Sequence, residues 1–91
     1  MSTIEKIQED VLTADAVDQN NQIVLYNDDV NTFDHVIDTL IAVCDHTAIQ
    51  AEQCAILVHY KGKCTVKTGS FEELKSQCSL LLEAGLSAEL I

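Results

Sequence analysis

The chain has 91 residues, with fifteen acidic residues, five lysines and no arginine, and therefore a formal net charge of −10. This length accommodates a single domain, and the 47% hydrophobic fraction is typical of a globular body. The negative charge argues against nucleic-acid and anionic-membrane partners, because phosphate contacts depend on Lys and Arg. It favours a cationic ligand or a basic partner surface.

The sequence gives no sign of a membrane span or a secretion signal. No stretch approaches the roughly 20 apolar residues that cross a bilayer, and Met1–Glu5 lacks the basic and apolar regions of a signal peptide. The four cysteines include no C-x-x-C pair, and we expect buried thiols in a reducing compartment. These observations predict a cytoplasmic protein.

The first 21 residues are polar and acidic, and they are predicted to form a flexible N-terminal arm. Ile4, Ile7, Val11 and Leu12 keep only a trace of helical spacing. The alternative is an inert solubilising tail. Residues 22–91 are then the folded core.

The core opens with a predicted strand over Ile23–Tyr26, followed by a polar turn and an amphipathic helix that runs to about Cys44. We expect Asn31 to be the N-cap of this helix and Asp34 to occupy its N3 position, near the positive helix end. Its inward face is predicted from apolar residues at i, i+3 and i+4 spacing: Phe33, Val36, Ile37, Leu40, Ile41, Val43 and Cys44.

Thr47 and Gln50 form a capping box that opens a second helix. The apolar face of this helix is predicted to contain Ala48, Ile49, Ala51, Cys54, Ala55, Leu57 and Val58. Residues 55–67 fit a β-hairpin as well as a helix followed by a strand. We favour the helix, because a capped N-terminus needs more than one turn after it, and Gly62 then ends it.

A short strand is predicted over Lys63–Lys67, followed by a helix with Ser70 and Glu73 as its capping box and Gly85 at its end. The inward face of this helix is predicted to contain Phe71, Leu74, Cys78, Leu81 and Leu82. Leu86–Ile91 is expected to be an edge strand. The order βααβαβ predicts an α+β fold, a compact sandwich of three helices on a small three-stranded antiparallel sheet.

The strongest candidates for a functional site in the sequence are Asn27, Asp28, Asp29 and His59. One interpretation is purely structural, because Asn and Asp favour turns and a histidine is favourable near the C-terminal end of a helix. The other is a site for an ammonium group, which has three donors and needs amide, carboxylate and imidazole acceptors converging on it. Composition and spacing alone leave both interpretations open.

Two blocks of this chain resemble the signatures of the ClpS family of Clp protease adaptors. Leu25, Asn27, Asp28, Asp29 and Val36 fit the pattern L-x-N-D-D-x-x-T-x-x-x-V. Residues 58–63, VHYKGK, fit the second pattern, V-H-x-x-G-K, at the expected distance. The resemblance covers residues 22 to about 82.

The resemblance implies a ClpS-like fold and a non-enzymatic adaptor that brings substrates to a Clp AAA+ unfoldase–protease. Such adaptors grip the free α-amino group of an N-degron, a role that would fall to Asn27, Asp29 and His59, with Asp28 as a lesser contributor or turn-former. A hydrophobic pocket takes the bulky first side chain. The corresponding positions here are Asn31, Phe33, Val36, Ala55 and Val58.

The chain departs from the family pattern at three positions. Phe33 stands where the family has a gate-like Met, and Ala55 stands where a second Met is common. On the surface expected to bind the N-terminal domain of the unfoldase, Glu72 matches but Gln77 replaces a Lys. These departures motivate a rival hypothesis, a ClpS-like interaction domain that binds a protein partner and no longer recognises N-degrons.

Other chemistry has little support in the sequence. Zinc sites usually show close Cys/His pairs, and Cys44-x-His46 is the only one here. No cysteine lies in a recognisable nucleophile motif, and the Asp-Ser-Leu tripeptide of small acidic carrier proteins is absent. We therefore predict no metal, no cofactor and no enzymatic activity.

Overall fold

The computed structural model of the protein describes residues 20–91. Its elements follow the predicted order: β1 (Asn21–Tyr26), α1 (Phe33–Cys44), α2 (Ala48–Lys61), β2 (Lys63–Gly69), α3 (Phe71–Glu83) and β3 (Ser87–Leu90). The strands form one antiparallel sheet in the order β2-β1-β3, and the helices pack on it. The predicted fold class is confirmed. The predicted arm, residues 1–21, lies almost entirely outside the described residues and stays a prediction.

The central strand, β1, contributes two residues to the centre of the hydrophobic core. Ile23 and Leu25 alternate to the same side of the sheet, where they join the inward residues of all three helices in one buried cluster. The other members of the cluster are Leu40, Cys44, Ala51, Val58, Val66, Leu74, Cys78, Leu81 and Leu86. Because β1 pairs on both sides, its C-terminal end at Tyr26 is firmly held beneath the polar turn.

The capping boxes of α2 and α3 are formed as predicted. Thr47 Oγ1 accepts a hydrogen bond from the Gln50 backbone N–H at 3.1 Å, and Gln50 Oε1 accepts one from the Thr47 N–H at 2.9 Å. Ser70 and Glu73 make the same exchange at 3.2 Å in both directions. Residues 55–61 are helical and Gly62 ends α2 with φ of +94°, so the β-hairpin alternative is wrong.

The end of α3 positions a wall of the site described below. Gly85 adopts φ of +91°, the Leu86 N–H bonds to the Leu81 carbonyl at 3.1 Å, and the Gly85 N–H bonds to the Leu82 carbonyl at 3.0 Å. This pair of bonds is the Schellman motif, which is usually accompanied by an apolar contact across the turn. Leu81 and Leu86 are both buried in the core.

The predicted start of α1 is wrong by one residue. The N-cap is Thr32, whose hydroxyl accepts the His35 backbone N–H at 3.1 Å, so Asp34 occupies N2 instead of N3. Asn31 does not cap the helix, because its side chain is bonded to Asp28 and to the Gly85 carbonyl.

The predicted inward faces of the helices are too wide. Phe71 and Leu82 are 48% and 52% exposed, because at 100° per residue they fall at the edge of the stripe formed by Leu74, Cys78 and Leu81. Ile49 and Leu57 of α2 are exposed, and so is Ala48. Since the buried residues of α2 are Ala51, Ala55 and Val58, on one side of the helix, its apolar residues on the other sides remain outside the core.

Candidate functional site

A cavity of about 310 Å³ lies at the C-terminal end of β1. Its polar residues come from the turn after β1 and from the last turn of α2, and its apolar residues come from β1, both neighbouring helices and the turn before β3. The lining residues are Leu25, Tyr26, Asn27, Asp28, Asp29, Asn31, Phe33, Val36, Ala55, Val58, His59 and Leu86.

Three polar side chains of this cavity make no hydrogen bond to any other residue within 20–91. They belong to Asn27, Asp29 and His59, and all three are exposed. The two motif blocks that supply them are joined by the Asn27 backbone N–H, which bonds to the Gly62 carbonyl at 3.0 Å. The cavity is therefore lined by an amide oxygen, a carboxylate and an imidazole nitrogen, each of which can still accept a hydrogen bond.

The ring of His59 makes edge-to-face contacts with two aromatic rings. Phe33 approaches it edge-on, with a centroid distance of 6.2 Å and an interplanar angle of 83°. Tyr60 does the same from its own helix, at 4.8 Å and 86°. Edge-to-face packing of this kind is favourable, and it restricts the orientation of the imidazole while leaving the ring within the cavity wall.

Asp28 organises the polar turn. Its Oδ1 accepts the backbone N–H groups of Val30 and Asn31, each at 2.9 Å, and its Oδ2 accepts from the Asn31 side chain at 2.9 Å and from the Ser87 hydroxyl at 3.4 Å. The Asn31 N–H is the main cause that lowers the pKa of Asp28 below its ordinary value of 3.8, and the Asn31 side chain, Val30 and Ser87 add to it. The carboxylate is therefore occupied in holding the turn together.

The remaining part of the cavity is apolar. Val36 from α1, Ala55 and Val58 from α2, Leu25 from β1 and Leu86 line it, and all of these except Val36 are buried. Ala55 is 3% exposed and contributes only a methyl group to the wall. The site thus combines an apolar recess with unpaired polar acceptors at its edge, which suits an amphipathic cation.

All nine residues that were predicted to bind the α-amino group or to line the pocket are found in the wall of this one cavity. They are Asn27, Asp28, Asp29, His59, Asn31, Phe33, Val36, Ala55 and Val58. Three further residues that were not predicted also line the cavity: Leu25, Tyr26 and Leu86. Leu25 stands inside the first motif, and an apolar residue directly after a helix-ending Gly was the available signal for Leu86.

The predicted partner-binding residue lies away from the cavity. Glu72 is exposed in the first turn of α3. Gln77, on the same helix, is partly buried, and its side-chain N–H₂ donates to the Val43 carbonyl at 3.3 Å near the end of α1. Gln77 is therefore a contact between two helices, in contrast to the exposed Lys that the family pattern implies.

The described part of the chain shows no feature that supports metal binding or a reactive thiol. Residues 20–91 contain no group of three or more His, Cys, Asp or Glu side chains arranged to hold a metal ion. All four cysteines are free thiols. Burial raises the pKa of Cys44 to about 11 and that of Cys54 to about 12, so neither thiol is activated as a nucleophile. No helix within this range is long and apolar enough to cross a bilayer.

Comparison with known proteins agrees with the fold and with the family resemblance. Residues 16–89 match the family described as the ATP-dependent Clp protease adaptor protein ClpS. Two relatives named ATP-dependent Clp protease adapter protein ClpS are each 35% identical. The one from Acetivibrio thermocellus aligns over 66% of this chain and 61% of its own length, and the one from Thermosynechococcus vestitus over 75% and 73%.

A solved structure, that of Agrobacterium tumefaciens ClpS2 bound to L-phenylalaninamide, has the same fold. It superposes with a TM-score of 0.66 at 22% identity and covers 78% of this chain and 93% of that one. The strand order and the three helices packed on the sheet define a small α+β domain of this fold, with a cavity at the end of its central strand. Together with the family match, they establish that the chain belongs to the ClpS family of Clp protease adaptors.

Proposed function

We propose that this protein recognises the free N-terminal bulky hydrophobic residue of N-degron substrates. Asn27, Asp29 and His59 would bind the α-amino group, and Phe33, Val36, Ala55 and Val58, with Asn31, would surround the first side chain. The observation that carries the proposal is the combination at one cavity of unpaired acceptors and an apolar recess. Neither half alone would select an N-terminus.

The electrostatics of the cavity favour an ammonium group. A free α-amino group carries one positive charge and three donors, and the three acceptors match it in number. Charge-assisted hydrogen bonds contribute about 1.5–3 kcal/mol each. The chain's net charge of −10 also attracts a cationic N-terminus at long range. Asp28 is a turn-former in this scheme, since its carboxylate already has four donors.

The relatives support the same substrate class. The Agrobacterium protein was solved with L-phenylalaninamide, a small molecule that has a free α-amino group and an aromatic side chain. The two relatives that are 35% identical are named as Clp protease adapters. By extension we propose that this chain delivers its cargo to the N-terminal domain of a Clp AAA+ unfoldase, through a surface that includes Glu72, and that it does so without catalysis in the cytoplasm.

The deciding experiment is a titration of the protein with a fluorescent peptide that begins with Phe, beside the same peptide acetylated at its N-terminus. We expect only the free amine to bind. Asn27→Ala should weaken this binding, whereas the matched Asn20→Ala, at an exposed position that does not line the cavity, should leave it unchanged. Equal binding of the free and acetylated peptides would refute recognition of the amine.

The second candidate function is a ClpS-like interaction domain that binds a protein partner only. The observations that favour it are the Phe33 ring against His59 and the use of Gln77 as an interhelical contact. If a folded sample binds neither peptide but still binds the N-terminal domain of a Clp unfoldase, this second function is the correct one.

A further inference from the structure

The Asn31 side chain is fixed in one orientation by two acceptors. Its Nδ2 donates to Asp28 Oδ2 at 2.9 Å and to the Gly85 carbonyl at 2.8 Å. Since a carboxylate and a carbonyl can only accept, the amide nitrogen must face both of them, and a flipped amide is excluded. Both N–H groups of Asn31 are thereby used within the fold.

The amide oxygen of Asn31 has no such partner. Within residues 20–91 no donor bonds to Oδ1, although the residue is partly buried and lines the cavity. Adding a Cβ to Gly85 would bring it to 3.8 Å from this oxygen, so Oδ1 lies beside the turn that also carries Leu86. Asn31 therefore brings a fixed amide, whose oxygen has no partner within residues 20–91, to a cavity that also has apolar walls.

Asn31 and His59 reach the cavity from different elements of the fold. His59 belongs to α2, which packs against β2, whereas Asn31 is fastened to the turn between α3 and β3. Because β1 separates β2 from β3 in the sheet, the two residues approach the end of β1 from opposite sides. A first side chain that enters the cavity from an α-amino group bound at His59 therefore shares the cavity with Asn31.

We propose that Asn31 Oδ1 accepts a hydrogen bond from the first side chain of the substrate, and that the site consequently prefers N-terminal Tyr and Trp to Phe and Leu. This inference rests on the proposed function. The Tyr hydroxyl and the Trp indole N–H each supply one donor, whereas Phe and Leu supply none. The apolar walls treat Phe and Tyr rings alike, so the acceptor decides between them.

The expected discrimination follows from the asymmetry of buried hydrogen bonds. A Phe ring that displaces water from Oδ1 leaves an acceptor without a partner, while a Tyr ring replaces the lost water with its own hydroxyl. Sites that hydrogen-bond a substrate hydroxyl reject the analogue that lacks it far more strongly than sites that only fit its shape. For one acceptor at a partly buried residue we expect Tyr to bind about tenfold more tightly than Phe.

The test is a competition series with otherwise identical peptides that begin with Tyr, Phe or O-methyltyrosine, each with a free and an acetylated N-terminus. O-Methyltyrosine keeps the oxygen but lacks the donor. We expect the Tyr peptide to bind about tenfold more tightly than both others, and we expect the Tyr-to-Phe ratio to fall to about one in Asn31→Ala. A ratio within one protein variant cancels any general loss of affinity.

Ser87→Ala is the matched control, because it removes a different partner of Asp28 and leaves Asn31 Oδ1 in place. It should retain the tenfold ratio. Equal binding of Tyr and Phe peptides as free amines would overturn the inference and leave the proposed function standing. A Tyr preference that survives in Asn31→Ala would overturn the role of Asn31, and failure of all free-amine peptides would overturn both proposals.

Discussion

Replacing Asp28 and Asp29 one at a time with Asn separates folding from binding at two adjacent positions. Asp28 holds the turn through Val30, Asn31 and Ser87, whereas Asp29 is exposed and bonds to nothing within residues 20–91. Asp28→Asn removes the charge and places an N–H₂ group where the Asn31 amide must donate. Asp29→Asn changes only the charge at the cavity edge.

We expect Asp28→Asn to lower the free energy of unfolding by about 1–2 kcal/mol at pH 7. This value lies below the sum for several charge-assisted bonds, because the carboxylate is only partly buried and solvent screens it. Asp29→Asn should change stability by less than about 0.5 kcal/mol, as exposed substitutions generally do. It should nevertheless weaken peptide binding.

The stabilising effect of Asp28 should disappear in acid. Its folded pKa lies below the ordinary value of 3.8, so the folded state binds this proton less readily than the unfolded state does, and stability rises with pH through that interval. The contribution is complete above the unfolded pKa and is lost as the pH falls through the folded pKa. The difference in unfolding free energy between the wild type and Asp28→Asn should therefore be constant from about pH 5 upward and shrink below pH 3.8.

Urea denaturation at a series of pH values, followed by circular dichroism, measures these differences directly. A pH-independent difference would show that Asp28 stabilises the turn by packing and not by its charge. Equal destabilisation by Asp28→Asn and Asp29→Asn would refute the assignment of Asp28 to folding and of Asp29 to binding.

Four further results are expected. Asn27→Ala and His59→Ala should each weaken binding of a Phe-initiated peptide by at least about 1 kcal/mol, the scale of one hydrogen bond, in fluorescence anisotropy; unchanged affinity in both would refute the amine grip. Ala55→Met should change the ranking of Phe, Leu, Tyr and Trp peptides, since Ala55 lines the cavity; an unchanged ranking would place Ala55 outside the pocket. Gly85→Ala should cost about 1–2 kcal/mol of stability because of its positive φ, as urea denaturation would report. Cys44, with its pKa raised to about 11, should react with a thiol reagent only at the rate of unfolding; fast labelling of the native protein would contradict its burial.

Local signals explain how much of the fold was predictable. The capping boxes at Thr47 and Ser70 are complete within four residues each, so no distant contact was needed to predict the starts of α2 and α3. The start of α1 was different, because Asn31 and Thr32 are both good N-cap residues. Asn31 is excluded by its bond to the Gly85 carbonyl, 54 positions away in the chain, and no local pattern reveals such a contact.

The same distinction applies to the candidate site. Asn27 directly follows β1 and His59 lies in the last turn of α2. The two motif blocks contain both residues. Leu86 was missed because it reaches the cavity through the packing of α3 and β3 on β1. The exposed Ile49 and Leu57 were misassigned because α2 has apolar residues on several sides, and periodicity cannot tell which side meets the sheet.

The pairing of β1 with β3 has a consequence for the order of events during synthesis. Residues 23–26 pair with residues 87–90, so the central strand of the sheet has its second neighbour only after residues 87–90 have been synthesised. Contacts at such sequence separation form late. The Gly85 carbonyl that fixes Asn31, and the Leu86 side chain that closes the cavity, arrive just ahead of β3. A ribosome-bound chain that has not yet released β3 therefore presents both motif blocks but not the completed cavity.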